Sequence, residues 1–180
     1  HLHHLLQPTI ALMVGMCMGF PGKGLSPGTV VIPNEVYGFD HRRLTEDGER
    51  FRPHGGDTDN GLYAVARLLS GRQATYEVVA DKGLASASTK IEHVETQLVE
   101  SIGKTLPDVV AFDMEGYGFY RALKRTNCLW IKAVADNGEH QGDTQEAREE
   151  KKKMQSTVTG NAIDFALQIA SAWSQAEAVH

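Results

Sequence analysis

The chain has 180 residues, 41% hydrophobic and 23% charged, a length and composition that suit one domain with a real core rather than two. Its formal net charge of −5 argues against a general nucleic-acid surface, which would need a basic face. No apolar stretch approaches the length of a membrane span, no signal peptide is visible, and Cys17 and Cys128 lie apart in apolar runs, as reduced thiols of a cytoplasmic protein do.

In chain order, Leu2 to Leu6 has the pattern of a last helical turn, broken by Gln7-Pro8. The chain carries no initiator Met, so the domain, residues 1–180, is expected to be N-terminally truncated. Thr9 to Val14 is a continuous apolar run, the mark of a strand buried on both faces. Gly15 to Gly28 then holds five glycines and two prolines and predicts a loop. Thr29 to Ile32 resumes as a strand that could extend to Phe39. Residues 40–60 are polar and turn-rich, the composition of a mobile surface excursion. Leu62, Val65, Ala66 and Leu69 share one helical face, as do Ile91, Val94, Leu98 and Ile102. Ala74 to Ala80 and Leu84 to Ala87 read as strands, as do Val109 to Phe112 and Leu129 to Ala135. Helices are expected from Glu115 to Lys124 and from Thr144 to Ser174, the latter with Ile163, Leu167 and Ala170 as a core stripe. Alternation of strands and helices predicts an α/β fold: three layers, αβα, around a mixed, mostly parallel sheet.

Ligands of open α/β sheets bind beyond the carboxyl ends of strands. Three such ends carry suitable chemistry: Gly15 to Gly19, Asp113-Met114-Glu115, and Asp136-Asn137. Asp113 and Glu115 also suit a helix N-terminus, where acids complement the helix dipole. Asp136-Asn137-Gly138 equally suits a turn. Both readings stay open for each acid, although two acids falling at one sheet edge favour a site.

Several of these segments resemble one family. Phe112-Asp113-Met114-Glu115-Gly116-Tyr117-Gly118 is similar to the acidic-Met-Glu junction of the purine nucleoside phosphorylase and methylthioadenosine/S-adenosylhomocysteine nucleosidase superfamily. Ile131-Lys132-Ala133-Val134-Ala135-Asp136 resembles its strand ending in Ser-Asp, and Gly83 to Ser88 the segment leading to its purine-stacking residues. Met13 to Gly19 followed by Pro27 to Val31 resembles its glycine-rich strand end and next strand.

The resemblance implies cleavage of a purine N-glycosidic bond. Glu115 would accept hydrogen bonds from the ribose 2′- and 3′-hydroxyls, and Met114 would pack on the sugar beside Asp113. Asp136 would donate a proton to purine N7, a task that requires the proton to be held near neutrality. Cys17 and Met18 would line base and sugar through their backbone, and Ile91 or Lys90 would lie against the purine. Family phosphorylases commonly hold phosphate with an Arg and a Ser where this chain has Met13 and Met16, which favours a hydrolase. Ala135 replaces a usual Ser and Lys132 stands where an Arg often sits. The water-activating Glu of family nucleosidases is expected upstream of His1. The favoured activity is a purine nucleosidase acting on an adenosine-type nucleoside or nucleotide, with no metal, no organic cofactor, no nucleic-acid or membrane partner, and a homo-oligomeric assembly. A phosphate-dependent phosphorylase and a catalytically weak nucleoside-sensing domain remain as alternatives.

Other signals carry less. Gly22-Lys23-Gly24 lacks the glycine at position 17 that a P-loop requires. His1, His3 and His4 suit a frayed terminus better than a metal site, and Lys151 to Lys153 a solvated helix face. His41, Arg42 and Arg43 read as surface charge, with closure over a substrate 5′ end as the other option. Trp130 and Trp173 read as core or interface.

Overall fold

A computed structural model describes residues 8–46, 48–58, 60–91, 96–123, 126–138 and 145–177. The helical turn expected at Leu2 to Leu6, the helical positions Val94 and Lys124, the helix start at Thr144, and His1, His3 and His4 lie outside these residues.

Ten strands and four helices follow one another along the described chain. The strands are β1 (Ile10–Gly19), β2 (Val30–Val31), β3 (Glu35–Gly38), β4 (Arg42–Thr45), β5 (Gly48–Phe51), β6 (His54–Asp57), β7 (Val78–Val79), β8 (Gly83–Ser86), β9 (Val109–Asp113) and β10 (Asn127–Asp136). The helices are α1 (Gly61–Ser70), α2 (Gln97–Thr105), α3 (Gly116–Leu123) and α4 (Gln145–Glu177). Eight strands form one sheet in the order β6-β3-β8-β9-β1-β10-β2-β7, and β4 pairs with β5 apart from it. The sheet is mixed: β1–β10, β2–β7, β3–β8 and β8–β9 are parallel, whereas β1–β9, β2–β10 and β3–β6 are antiparallel.

Period-two alternation sorts β10 between two helical layers. Leu129, Ile131 and Ala133 join Val30 and Ile32 under Leu62 and Ala66 of α1 and Val158, Phe165 and Ile169 of α4. Cys128, Trp130 and Val134 face the other way, onto Tyr117, Phe119 and Tyr120 of α3. On α2, Leu98 and Ile102 cover Ala85, Val109 and Phe112. The three layers expected from the sequence are therefore present. No described helix is long and apolar enough to cross a membrane.

Several boundaries differ from the sequence expectation. β1 does not stop at Gly15 but runs to Gly19, because β10 and β9 supply ladder partners on both its sides. The polar stretch from 40 to 60 contains three strands: β4 and β5 form a hairpin, and β6 adds an edge strand through backbone pairing with β3. Of the run from Ala74 to Ala80, only Val78–Val79 is strand. α2 begins at Gln97, where the Thr96 hydroxyl accepts from Val99 N.

Candidate active site

Met18 is the register partner of Asp136 in β10 on one side and of Phe112 in β9 on the other. A bulge between Cys17 and Met18 shifts the β1–β10 ladder at that point. The last residues of β9 and β10 therefore flank the same short piece of β1. This differs from the shared edge of a parallel sheet suggested by the sequence. β10 runs parallel to β1 and β9 antiparallel to it, so their ends meet by crossing rather than by alignment.

A cleft of about 200 Å³ opens at this crossing. β1 contributes Met16, Cys17 and Met18, the β9–α3 junction contributes Phe112 to Glu115, and β10 contributes Ala135 and Asp136. Lys90 and Ile91, after β8, and Gln155 of α4 complete the wall. Asp113, Met114, Glu115, Asp136, Cys17, Met18 and Ile91 are thus together around one cavity.

Their environments separate them. The Asp113 side chain is 1% exposed. Its Oδ1 accepts from Gly116 N at 2.9 Å, and its Oδ2 faces Lys132 Nζ at 2.8 Å and meets no other donor among the described residues. Asp113 thus opens α3 in the manner of a capping acid while also bordering the cleft. Glu115 behaves differently: its side chain is 61% exposed, and its Oε2 lies 3.6 Å from the same Lys132 Nζ.

Lys132 is the one charged residue among the buried positions of β10, and its side chain is 3% exposed. Gly15 is its register partner in β1, and a Cβ at Gly15 would come within 3.3 Å of Nζ. The missing side chain leaves Lys132 a path across β1 towards β9. The start of α3 is fixed from three directions. Gly116 N donates to Asp113, Tyr117 N donates to Ser86 Oγ at 3.1 Å, and Trp130 Nε1 donates to the Gly116 carbonyl at 3.1 Å. Trp130 is fully buried, in keeping with its reading as core.

Asp136 both closes a turn and borders the cleft. Its Oδ1 accepts from Gly138 N at 3.1 Å, and Gly138 has φ +70°. Met114 and Met16, 44% and 37% exposed, give the cavity thioether surface. Burial pushes the Cys17 thiol far up, against the opposing pull of Lys132, so it is a neutral packing group.

In the sequence Lys132 stands out only as a departure from a family pattern. The signal for a larger role was there, since a lone charge inside a buried apolar run needs a partner. Gln155 was missed, and nothing local marks it: it sits in a polar helical stretch that tertiary packing brings to the cleft. A larger cleft of about 640 Å³ lies by the amino ends of β3 and β8, bordered by Asn34, Asp57, Tyr63, Arg67 and Asp81. There Arg67 pairs with Asp81 at 3.1 Å, and the Tyr63 hydroxyl both accepts from Asp81 N and donates to Asp81 Oδ1. Three of its polar residues, Tyr63, Arg67 and Asp81, are thus engaged with one another, whereas the Glu115 side chain is 61% exposed. Among the described residues no group of three or more His, Cys, Asp or Glu is arranged to hold a metal ion.

No protein-family profile matches the chain. A curated relative, the death domain-containing ATP nucleosidase of Amphimedon queenslandica, is 25% identical over 154 residues, covering 73% of this chain and 29% of the relative. The chain thus spans less than a third of that protein's length. The 5′-methylthioadenosine/S-adenosylhomocysteine nucleosidase of Neisseria meningitidis, in complex with methylthio-immucillin-A, superposes with a TM-score of 0.73 at 21% identity, over 95% of this chain and 73% of its own. The S-adenosylhomocysteine nucleosidase of Streptococcus pyogenes, in complex with 5-methylthiotubericidin, gives 0.72 at 15% identity over 94% and 70%. Futalosine hydrolase of Helicobacter pylori gives 0.73 at 13% identity over 95% and 71%.

Proposed function

We propose that this chain, which has the nucleoside phosphorylase-like fold, is a purine nucleosidase that hydrolyses the N-glycosidic bond of an adenosine-type nucleoside or nucleotide. The observation that carries the reading is the meeting of Glu115 and Asp136 on one cleft walled by Met18, Ile91 and Met114.

Cleavage of an N-glycoside builds positive charge on the sugar and negative charge on the departing base, as other glycosyl transfers do. Glu115 would accept from the ribose 2′- and 3′-hydroxyls and favour the cationic sugar. Asp136, at the far side of the same stretch of β1, would deliver its proton to purine N7 as the base leaves. The thioether of Met114 suits a sugar face, and Ile91 and the Cys17-Met18 backbone suit the flat sides of a base. Asp113, held by Lys132 and Gly116, would act as a positioning residue for the junction that carries Glu115. The named activity of the Amphimedon relative supports a nucleotide substrate, and the nucleoside analogues bound by the neighbouring structures support an adenosine-type base.

Hydrolysis is favoured over phosphorolysis by Met16 at the cleft wall and by Lys132, whose charge is engaged by two carboxylates. The same reading has the protein act in the cytoplasm, which suits its two buried free cysteines, and as a homo-oligomer.

The test is adenine release by the full-length protein from adenosine, methylthioadenosine, S-adenosylhomocysteine, AMP and ATP, with and without phosphate. Phosphate-independent release that falls by about 10²- to 10⁴-fold in Asp136→Asn is expected. Release that requires phosphate would instead establish a phosphorylase. Tight nucleoside binding without release would establish a sensing domain.

A further inference from the structure

Lys132 is a buried cation that the proposed reaction does not itself use. Burying an ammonium is unfavourable unless it is paired, and replacing a buried ion pair by apolar groups is often neutral or stabilising. The position is otherwise ideal for an apolar side chain: Trp130 and Val134, two residues to either side on the same face of β10, both pack into the apolar core. Asp113 does not need the lysine in order to cap α3, because its other oxygen serves Gly116 N. Gly15 leaves the side chain its space, although a glycine weakens a strand interior.

What the ammonium adds is a second partner, beyond Asp113. Nζ stands 2.8 Å from Asp113 Oδ2, deep in the fold, and 3.6 Å from Glu115 Oε2, at the cleft. A carboxylate 61% exposed would otherwise sample several rotamers. The cation beneath it biases Glu115 towards one orientation before any ligand arrives, and an ordered carboxylate can take both vicinal hydroxyls of a ribose at once.

We propose that Lys132 is a positioning residue that anchors Glu115 to the buried Asp113, and that this anchoring makes the cleft select ribonucleosides over 2′-deoxyribonucleosides. The inference rests on the nucleosidase reading, in which Glu115 receives the sugar. A site built around a hydroxyl rejects the analogue lacking it, because a polar atom is left unpaired.

The experiment compares adenosine with 2′-deoxyadenosine in wild type, Lys132→Arg, Lys132→Met and the double variant Asp113→Asn/Lys132→Met. Lys132→Met alone strands the Asp113 charge and can fail to fold. The double variant removes both charges while Asn keeps an oxygen for Gly116 N, and thermal melts report folding. Wild type is expected to favour adenosine in kcat/KM by about 10- to 100-fold, the range of a hydrogen bond to a charged group. The preference should shrink to a few-fold in the double variant, with KM for adenosine rising, and return in Lys132→Arg. An equal loss on both substrates, with the ratio unchanged, would assign Lys132 a purely structural role and overturn the proposal. Equilibrium dialysis with the same two nucleosides separates this failure from that of the nucleosidase reading. Discrimination in Kd without adenine release sinks only the catalytic reading, whereas equal Kd values in wild type sink this inference.

Discussion

Gly116 and Gly118 lie two residues apart in α3, and alanine at each should shift stability in opposite directions. A Cβ at Gly116 would stand 2.8 Å from Asp113 Oδ1, 3.0 Å from Oδ2 and 3.2 Å from Cγ. A flexible side-chain end could ordinarily swing away from such a clash. Asp113 cannot do so freely, because its carboxylate is buried and fixed by Gly116 N at 2.9 Å and Lys132 Nζ at 2.8 Å. Moving it stretches one charge-assisted hydrogen bond, of the kind that contributes roughly 1.5–3 kcal/mol, and draws a buried carboxylate away from its cation. The alanine gains at most about 1 kcal/mol of helix propensity in return. Partial relaxation leaves a net loss of about 2 kcal/mol, a fall of roughly 4–8 °C in Tm for a chain of this size. At Gly118 an added Cβ meets nothing within 4 Å and the residue is exposed. There only the propensity gain operates, so Gly118→Ala should be neutral or up to ~1 kcal/mol more stable. Urea unfolding followed by Trp fluorescence reads both variants. Two variants of equal stability, or a Gly116→Ala protein that melts above wild type, would refute the claim that Asp113 is locked.

Three further predictions follow from other parts of the molecule. Burial pushes the Tyr37 and Tyr63 phenols up to about 12 and raises the Cys17 and Cys128 thiols. The folded chain then keeps protons that the unfolded chain releases above roughly pH 8.5–10, so stability is full below that window and declines as pH rises through it. A urea midpoint that stays flat from pH 8 to 11 would contradict this. The Cys17 thiol should resist iodoacetamide at pH 8 in the native protein and react once urea is added; rapid native alkylation would show it accessible. Asn161→Ala removes the 2.9 Å bond from Nδ2 to the Gly28 carbonyl, which ties α4 to the loop before β2. It should lower stability by about 1 kcal/mol with ribose discrimination unchanged, and a loss above ~3 kcal/mol would mean a wider role for the contact.

The sequence displays β9 and β10 openly because both are largely apolar runs, broken in β10 by Lys132, and such runs can be satisfied only in a covered sheet. It conceals β6, whose residues His54-Gly55-Gly56-Asp57 have no apolar side chain. That strand exists through backbone pairing with β3, and hydropathy carries no trace of such pairing. The same division runs through the site. Asp136 can be found because it ends an apolar strand, and Glu115 because it lies two residues past the end of one. Their convergence cannot be read from pattern, since it depends on β9 and β10 flanking β1 in opposite directions. Gln155 is hidden for a related reason: its place on the cleft that Met16 and Asp136 also line is set by tertiary packing, with no local cause.

The pairing of β1 with β10 also sets a timetable for synthesis. Ile10 faces Asn127, so the partner strand is made 117 residues later (127 minus 10). At ~5–20 residues per second the wait is roughly 6 to 23 s. Throughout that interval no other described strand pairs along the length of β1, since β9 reaches only its last two residues. Local hairpins such as β4–β5 can close at once. The nascent chain therefore carries a long exposed strand edge, the kind of surface that chaperones bind and that aggregates when crowded. Slower translation after β1 would lengthen that exposure, and slower translation after Asp136 would shorten its consequences by letting β10 dock before more chain follows.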